Sequence, residues 1–416
     1  MIGMTTLKDL CTLIVDCEHK TAPIQDTGYP SIRTPNIGRG RLLLDGVNQV
    51  SDETYRLWTQ REVPKPGDLI LAREAPIGNV AIIPLGLKVC LGQRTVLIRP
   101  NDQKINAQYL TYLLLGDELQ GRIQSQSNGA TVHHLNMSDI RNLEIPPLPA
   151  PRVQDRIASI LSAYDDLIEN NTRRIKILEE MSQMIYREWF VNFRFPGHEK
   201  VKMVESDMGM IPALWQTQRF TEVSEVLSGG TPKTSVPEFW NGGIPFFGPT
   251  DAPTAFFVTQ TEKGITPLGL SRCNSKLYPA ETVFITARGT VGKIAMPAEG
   301  MAMNQSCYAL RGKSGLSQLF LFMLTKQRTE ELKKKAHGAV FDTITIETFS
   351  KLTVVRPADP LPQQFEAVVR PLFSLMLTLQ RSITNLQETR NLLLPRLISG
   401  EINVEQVETE HAAQSV

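Results

Sequence analysis

The chain repeats itself once, with a period of about 210 residues, and a repeat of half its 416-residue length dictates two like domains rather than one continuous core. Each half opens on a Gly/Pro/Asn-rich segment, TGYPSIRTPNIGRGR at 27–41 and SGGTPKTSVPEFWNGGIPFFGPTD at 228–251. An apolar strand then runs into a glycine turn, GDLILAREAPIGNVAI at 67–82 against ETVFITARGTVGKIAM at 281–296, and a second strand resumes after Gly78 or Gly292. A short Gln-containing strand follows in each half, at 92–100 and 304–312. Next come a helical stretch ending in a Gly-Ala turn (127–135, 336–344), an apolar-Pro segment (143–154, 352–364) and a long helix-forming stretch.

The two long stretches carry the same seam. Steps of three and four from Leu161 to Trp189 meet seven apolar residues in nine positions, and the same steps from Val369 to Leu397 meet eight in nine. That phase predicts two coiled-coil helices whose seams face each other, or two helices each lying on its own domain. Asn171 is a polar member of the first seam, of the kind that sets register. Pro371 is expected to bend the second helix, and Pro395 to end or kink it. The predicted fold is α+β: two similar mixed α/β domains separated by a pair of long antiparallel coiled-coil helices, an internal pseudo-two-fold repeat. The expected boundaries are 1–150, a helical region at 151–195, 196–360, a second helical region at 361–400, and a frayed acidic tail at 401–416.

Charge and motifs narrow the function. Lys plus Arg is 44 and Asp plus Glu is 43, so the net charge is +1, which disfavours a simple polycation without excluding local basic patches. Five cysteines, odd in number and widely spread with no C-x-x-C, indicate neither a zinc site nor a disulfide framework. No apolar run reaches the ~18 residues of a membrane span. With no secretory pattern at the N-terminus, a soluble cytoplasmic protein is expected. ARGTVGKI at 287–294 imitates a phosphate loop, but Ala287 stands where Gly is required and Ile294 where Ser or Thr is. The pair His133-His134 lacks the i,i+4 spacing of a helical metal site. No other catalytic signature is found, and neither a catalytic residue nor a metal site is expected.

What remains is a set of basic and polar side chains on loops. Arg33, Asn36, Arg39 and Arg41 lie among glycines, where a guanidinium can reach a phosphate or a base edge. Arg61, Arg73 and Arg94 follow in the first half, and Lys233, Thr250, Asp251, Arg288 and Lys293 occupy corresponding loops in the second. A single surface arginine is more often a solvated charge than a DNA contact, but the parallel between the two halves favours DNA. Trp240 and Phe246 read as core. The junction REWFVNFRFPG at 187–197 reads either as a core-forming helix exit or as a partner patch, with Trp189, Phe190, Phe193 and Phe195 as candidate subunit contacts.

Together these segments resemble the specificity subunit of type I restriction–modification systems. The likeness covers nearly the whole chain: GYPSIRTPNI at 28–37, PGDLILAREAPIGNVAI at 66–82, the central region at 145–199, FWNGGIPFFGPTD at 239–251, TARGTVGKIAM at 286–296 and LLPRLISGEI at 393–402. AREAPIG at 72–78 departs from the usual Arg-x-Gly-Thr-x-Gly, and Gly248 replaces a bulkier residue. The resemblance implies two target-recognition domains on double-stranded DNA, each reading half of an asymmetric bipartite site, with the helices as a ruler. It also implies two methyltransferase subunits and restriction/translocase subunits as partners. Those partners, not this chain, would hold S-adenosylmethionine, ATP and Mg. An enzyme in its own right and a protein scaffold without a DNA role are the alternatives. The first 150 residues carry 15 basic and 15 acidic side chains, so the chain alone is expected to bind DNA weakly.

Overall fold

The computed structural model describes residues 5–126, 134–336 and 343–405. Most of the two Gly-Ala turns, His133 and residues 406–416 lie outside these. By packing, the chain divides into two units, residues 1–168 with 385–416 and residues 169–384, so each unit takes part of both long helices.

In the first unit the sheet is built around Leu69–Ala72, four residues buried without exception. A strand buried on both faces must divide its side chains between two cores. Leu69 and Leu71 point to a cluster with Tyr109, Leu113 and Leu161, on the helical side. Ile70 and Ala72 point to a second cluster with Ile32 and Leu91, under a small second sheet. The spatial order of the main sheet is Cys11–Asp16, Thr95–Pro100, Leu69–Ala72, Val80–Ile82, antiparallel throughout. In the small sheet Tyr29–Ile32 pairs antiparallel with Gln49–Val50 and parallel with Cys90–Leu91.

The second unit has the same plan. Ser224–Ser228, Cys307–Gly312, Val283–Thr286 and Ile294–Pro297 take the same order, with Phe257–Val258 added at the edge. Trp240–Phe247 pairs antiparallel with Lys263–Ile265 and parallel with Ala302–Met303. Val283 and Ile285 face the helical core, while Phe284 faces Phe247 and Met303. The sequence repeat is therefore a repeat of topology. Trp240 is half-buried, while Phe246 is 5% exposed and packs with Ile265, as core residues should.

Each of the eighteen seam positions is buried or half-buried. The helices run Pro151–Tyr186 and Leu361–Ile398. Within the first unit Ile157 and Leu161 share a core with Leu394 and Leu397. Within the second, Ile175 shares one with Met376 and Leu379. Asn171 is 8% exposed and donates to the Ser382 hydroxyl at 3.3 Å. Neither Pro371 nor Pro395 ends the second helix. Each proline removes a single N–H bond, and buried neighbours such as Phe373, Leu394 and Leu397 hold the turns around them. The first residues of the expected tail, 401–405, are not frayed, because Val404 is 4% exposed in the core of the first unit; the rest of the tail lies outside the described residues.

Two different seats join sheet domain to helix. In the first unit Asp165 of the long helix, almost fully buried, accepts from the Tyr112 hydroxyl at 2.6 Å and pairs with Arg390. Burial, reinforced by the Asp165 charge, pushes the Tyr112 hydroxyl far above the usual phenol range. In the second unit the corresponding seat is aromatic: Phe373 lies 5.9 Å from Phe322, 5.6 Å from Phe256 and 6.2 Å from Phe257. Among the described residues no helix is long and apolar enough to cross a membrane.

Candidate nucleic-acid interface

Strand order brings four loops of each unit to one end of its sheets. In the second unit these are the segment after Ser228, the turn after Phe247, the hairpin turn after Thr286 and the approach to Cys307. In the first unit the matching loops follow Asp16, Ile32 and Ala72 and precede Thr95. Backbone hydrogen bonds fix the correspondence residue by residue. Gly92 N–H donates to Ile32 as Asn304 N–H does to Phe247, and Arg73 N–H to Arg94 as Ala287 N–H to Ser306. Gly78 and Gly292 close the two hairpin turns with φ of 85° and 81°, a conformation open to glycine and strained for other residues. The hairpin places ARGTVGKI between two antiparallel strands, not between strand and helix, so the apparent phosphate loop is a β-turn.

Several of the residues expected at DNA are engaged within the fold. Asn36 Oδ1 accepts from the Arg33 N–H at 3.1 Å, and Asp251 Oδ2 from the Gly248 N–H at 2.7 Å; both side chains cap an equivalent tight turn. Arg73, 14% exposed, is held at 2.8 Å by both Asp16 and the Leu135 carbonyl. Arg61 pairs with Glu18 at 3.0 Å and reaches the Cys17 carbonyl at 3.1 Å. Arg39 donates to the Leu115 carbonyl at 3.1 Å, and Arg41 pairs with Asp166 on the long helix. Replacing Arg39 and Arg41 together with Ala is therefore expected to leave DNA affinity within about twofold. It should cost about 1 kcal/mol of stability, as for surface pairs, read by chemical denaturation. A tenfold loss of affinity would return both to the interface.

Others stay at the loop end. Arg33, Lys233, Thr250 and Arg288 are exposed, and Arg94 is 56% exposed beside Glu74 at 2.9 Å. Lys293 is exposed and donates to the Ala252 carbonyl at 3.3 Å. Sequence reasoning missed Gln93 and Gln305, which occupy the same place in the two units. Gln93 donates to the His19 carbonyl at 3.3 Å, and Gln305 accepts from the Thr231 hydroxyl. The shared Gln of GQR and NQS was the signal that could have found them.

The aromatic run is core rather than surface. Phe190 meets Phe320 at 4.7 Å and Phe365 at 5.2 Å, Phe195 stacks on Trp215, and Trp189 and Phe193 are half-buried on the same cluster. A junction rich in large rings had to bury them somewhere, and the second unit's own helices supplied the site.

Burial pushes the Cys11 and Cys307 thiols up to about 12 and Cys90 up to about 11, so none supplies a thiolate at neutral pH. Asp16, Cys17 and His19 stand close enough together to suggest a cation site. The Asp16 carboxylate is already taken by Arg73 at 2.8 Å and His19 at 2.9 Å, and burial raises the Cys17 thiol. The cluster is a hydrogen-bonded corner of the loop end.

The chain thus carries two domains of like topology, each with guanidinium and amide groups on its loop end. The type I restriction modification DNA specificity domain matches residues 3–180 and again 212–368, and the chain belongs to this family. It is 28% identical to the type I restriction enzyme MjaIX specificity subunit of Methanocaldococcus jannaschii, covering 87% of this chain and 83% of that one. It is 25% identical to the HindI specificity subunit of Haemophilus influenzae, over 90% and 95% of the two chains. The crystal structure of a type I restriction–modification S subunit from M. genitalium shares the fold, with a TM-score of 0.60, 17% identity and 95% of each chain covered. The chain is thus a specificity subunit, a DNA-binding component of a restriction system that recognises sequence and is not itself the catalyst.

Proposed function

We propose that each unit reads one half of an asymmetric, bipartite site on double-stranded DNA, and that the two long helices pair antiparallel as a coiled-coil spacer between the halves. The observation that carries this reading is the repeated loop end: one strand order displayed twice, with different side chains at equivalent positions. Two identical readers would call for a symmetric site; two that differ call for an asymmetric one. The helix Pro151–Tyr186 has 36 residues. That is about 54 Å at ~1.5 Å per residue, more than the ~34–36 Å between successive major-groove faces.

The same proposal gives the chain a scaffold role in the cytoplasm, where host DNA lies. Ile177, Met181 and Met184, with Val191 beyond them, form an exposed apolar stripe at steps of four, three and seven in the second unit. Val368 and Leu375 are exposed on the other helix. Such a stripe fits partner helices better than water does. Two methyltransferase subunits and the restriction/translocase subunits are the partners proposed, and they would hold S-adenosylmethionine, ATP and Mg.

Exchanging residues 1–150 for those of another family member, with the host's methyltransferase subunit present, tests the reading. One half of the methylated motif is expected to change and the other to persist. A change in both halves would show that the units do not read independently. Robust methylation or cleavage by the purified chain alone would overturn the scaffold role.

A further inference from the structure

Reciprocal exchange of side chains between facing loops sets the two recognition ends apart. The correspondence fixed by backbone hydrogen bonds equates Glu74 with Arg288 and Arg94 with Ser306. The first unit carries a carboxylate in the hairpin turn and an arginine in the loop facing it; the second carries the arginine in the hairpin turn and a serine in the facing loop. The same correspondence equates Arg33 with Gly248 and Gly92 with Asn304. Here too the large side chain changes loops. A Cβ on Gly92 would come within 2.4 Å of the Arg33 stem, whereas a Cβ on Gly248 would meet the Asn304 amide at 3.2 Å. Each end therefore has one spot where a glycine of one loop yields space to the side chain of its neighbour, and a second where charge is redistributed between the same loops.

We propose that these four pairs are the specificity-determining positions of the chain. Arg33 and Arg94 read the half-site of the first unit and Arg288 that of the second, where Asn304, whose Oδ1 accepts from the Ser306 N–H at 2.9 Å, shapes the loop beside it. This rests on the reading of the loop ends as the DNA interface. The arginines suit base readout, since a guanidinium forks onto O6 and N7 of guanine. Arg94 also adopts a φ of 67°, rare for a residue with a side chain, and strain of this kind persists where a side chain must be aimed. Glu74, bonded to Arg94 Nε at 2.9 Å, is a positioning residue. It fixes the plane of the guanidinium and leaves it 56% exposed for a base. Both units are thus assigned a preference for guanine, the first through Arg33 and Arg94 and the second through Arg288.

The test is done in the full chain co-produced with its methyltransferase partner, reading the methylated motif by single-molecule sequencing. Glu74→Arg with Arg94→Ser, and separately Arg33→Gly with Gly92→Asn, install the second unit's pairs in the first. Each double variant is expected to lower methylation of the original motif by about tenfold or more, with altered bases confined to one half-site. Arg94→Lys keeps the charge without the fork, so it should relax the guanine while retaining DNA affinity; a phosphate contact would leave the motif intact. Co-purification with the partner and the melting temperature separate lost recognition from lost folding. A well-folded set that keeps the native motif within twofold overturns the proposal. If Gln93→Ala or His19→Ala, at the same loop end, then alters the motif, the interface reading survives and only the pairs are wrong. If none of these variants changes motif or affinity, the interface reading falls with them.

Discussion

Asp165→Ala is expected to lower the stability of the chain by about 3–5 kcal/mol, one of the largest losses available to a single substitution here. The carboxylate is nearly inaccessible and serves two donors, the Tyr112 hydroxyl and the Arg390 guanidinium. Removing it leaves a cation that is only 16% exposed without its counter-ion, and a phenol without its acceptor. In a unit of about 200 residues the melting temperature should drop by roughly 10 °C, measured by calorimetry. Asp165→Asn should fall between, keeping an acceptor for Tyr112 and losing the charge. Replacing Asp165 and Arg390 together with Leu and Met should recover most of the loss, because the unpaired charge is what destabilises. A shift below 2 °C for Asp165→Ala would show that the seat does not hold the first unit. The seat has an alkaline limit as well. The Tyr112 pKa is raised on folding, so its contribution is complete below the unfolded value of about 10 and shrinks as pH climbs beyond it.

Deleting seven residues from each long helix at matched positions near Asn171 and Ser382 is expected to shorten the spacer of the DNA target while leaving both half-sites intact. Seven helical residues span about 10.5 Å, or roughly three base pairs at ~3.4 Å each. A whole heptad restores the phase of the seam, so Leu161 and Ile175 still meet their own cores. Four residues would not, and such a variant should lose stability as well as spacing. Methylome sequencing reads the result directly. Altered half-sites with an unchanged spacer would remove the helices from the role of ruler.

The architecture was legible because the signals behind it are periodic. Strand, glycine turn and strand recur at a constant offset around Gly78 and Gly292, and eighteen seam positions keep phase over two stretches. Charged partners were not legible. Nothing in sequence places Asp16 beside Arg73, or Asp166 beside Arg41, since each pair closes only when distant segments meet. Loop arginines therefore all looked alike, and the structure divides them into those spent on carbonyls and carboxylates and those left facing outward. Asp165 was hidden for a different reason. A pattern search along a helix weighs apolar positions, and a buried carboxylate one step from Tyr164 reads as exposed. The aromatic run at 189–195 was ambiguous because large rings mark cores and interfaces equally, and only Phe320, Phe365 and Trp215 decide between them.

The two seats also constrain how such a chain can evolve. If each domain reads one half-site, as proposed, exchanging a domain would bring a new half-site. A domain carrying Tyr112 expects an acid on the helix beneath it; one carrying Phe256 and Phe322 expects a ring. Recombination between relatives can replace like with like, whereas moving a domain from the first position to the second would set a hydroxyl against phenylalanine. The polar and aromatic seats act as keyed connectors, so under the proposed two-part reading the order of the half-sites would be inherited with the helices while their content stayed free to drift.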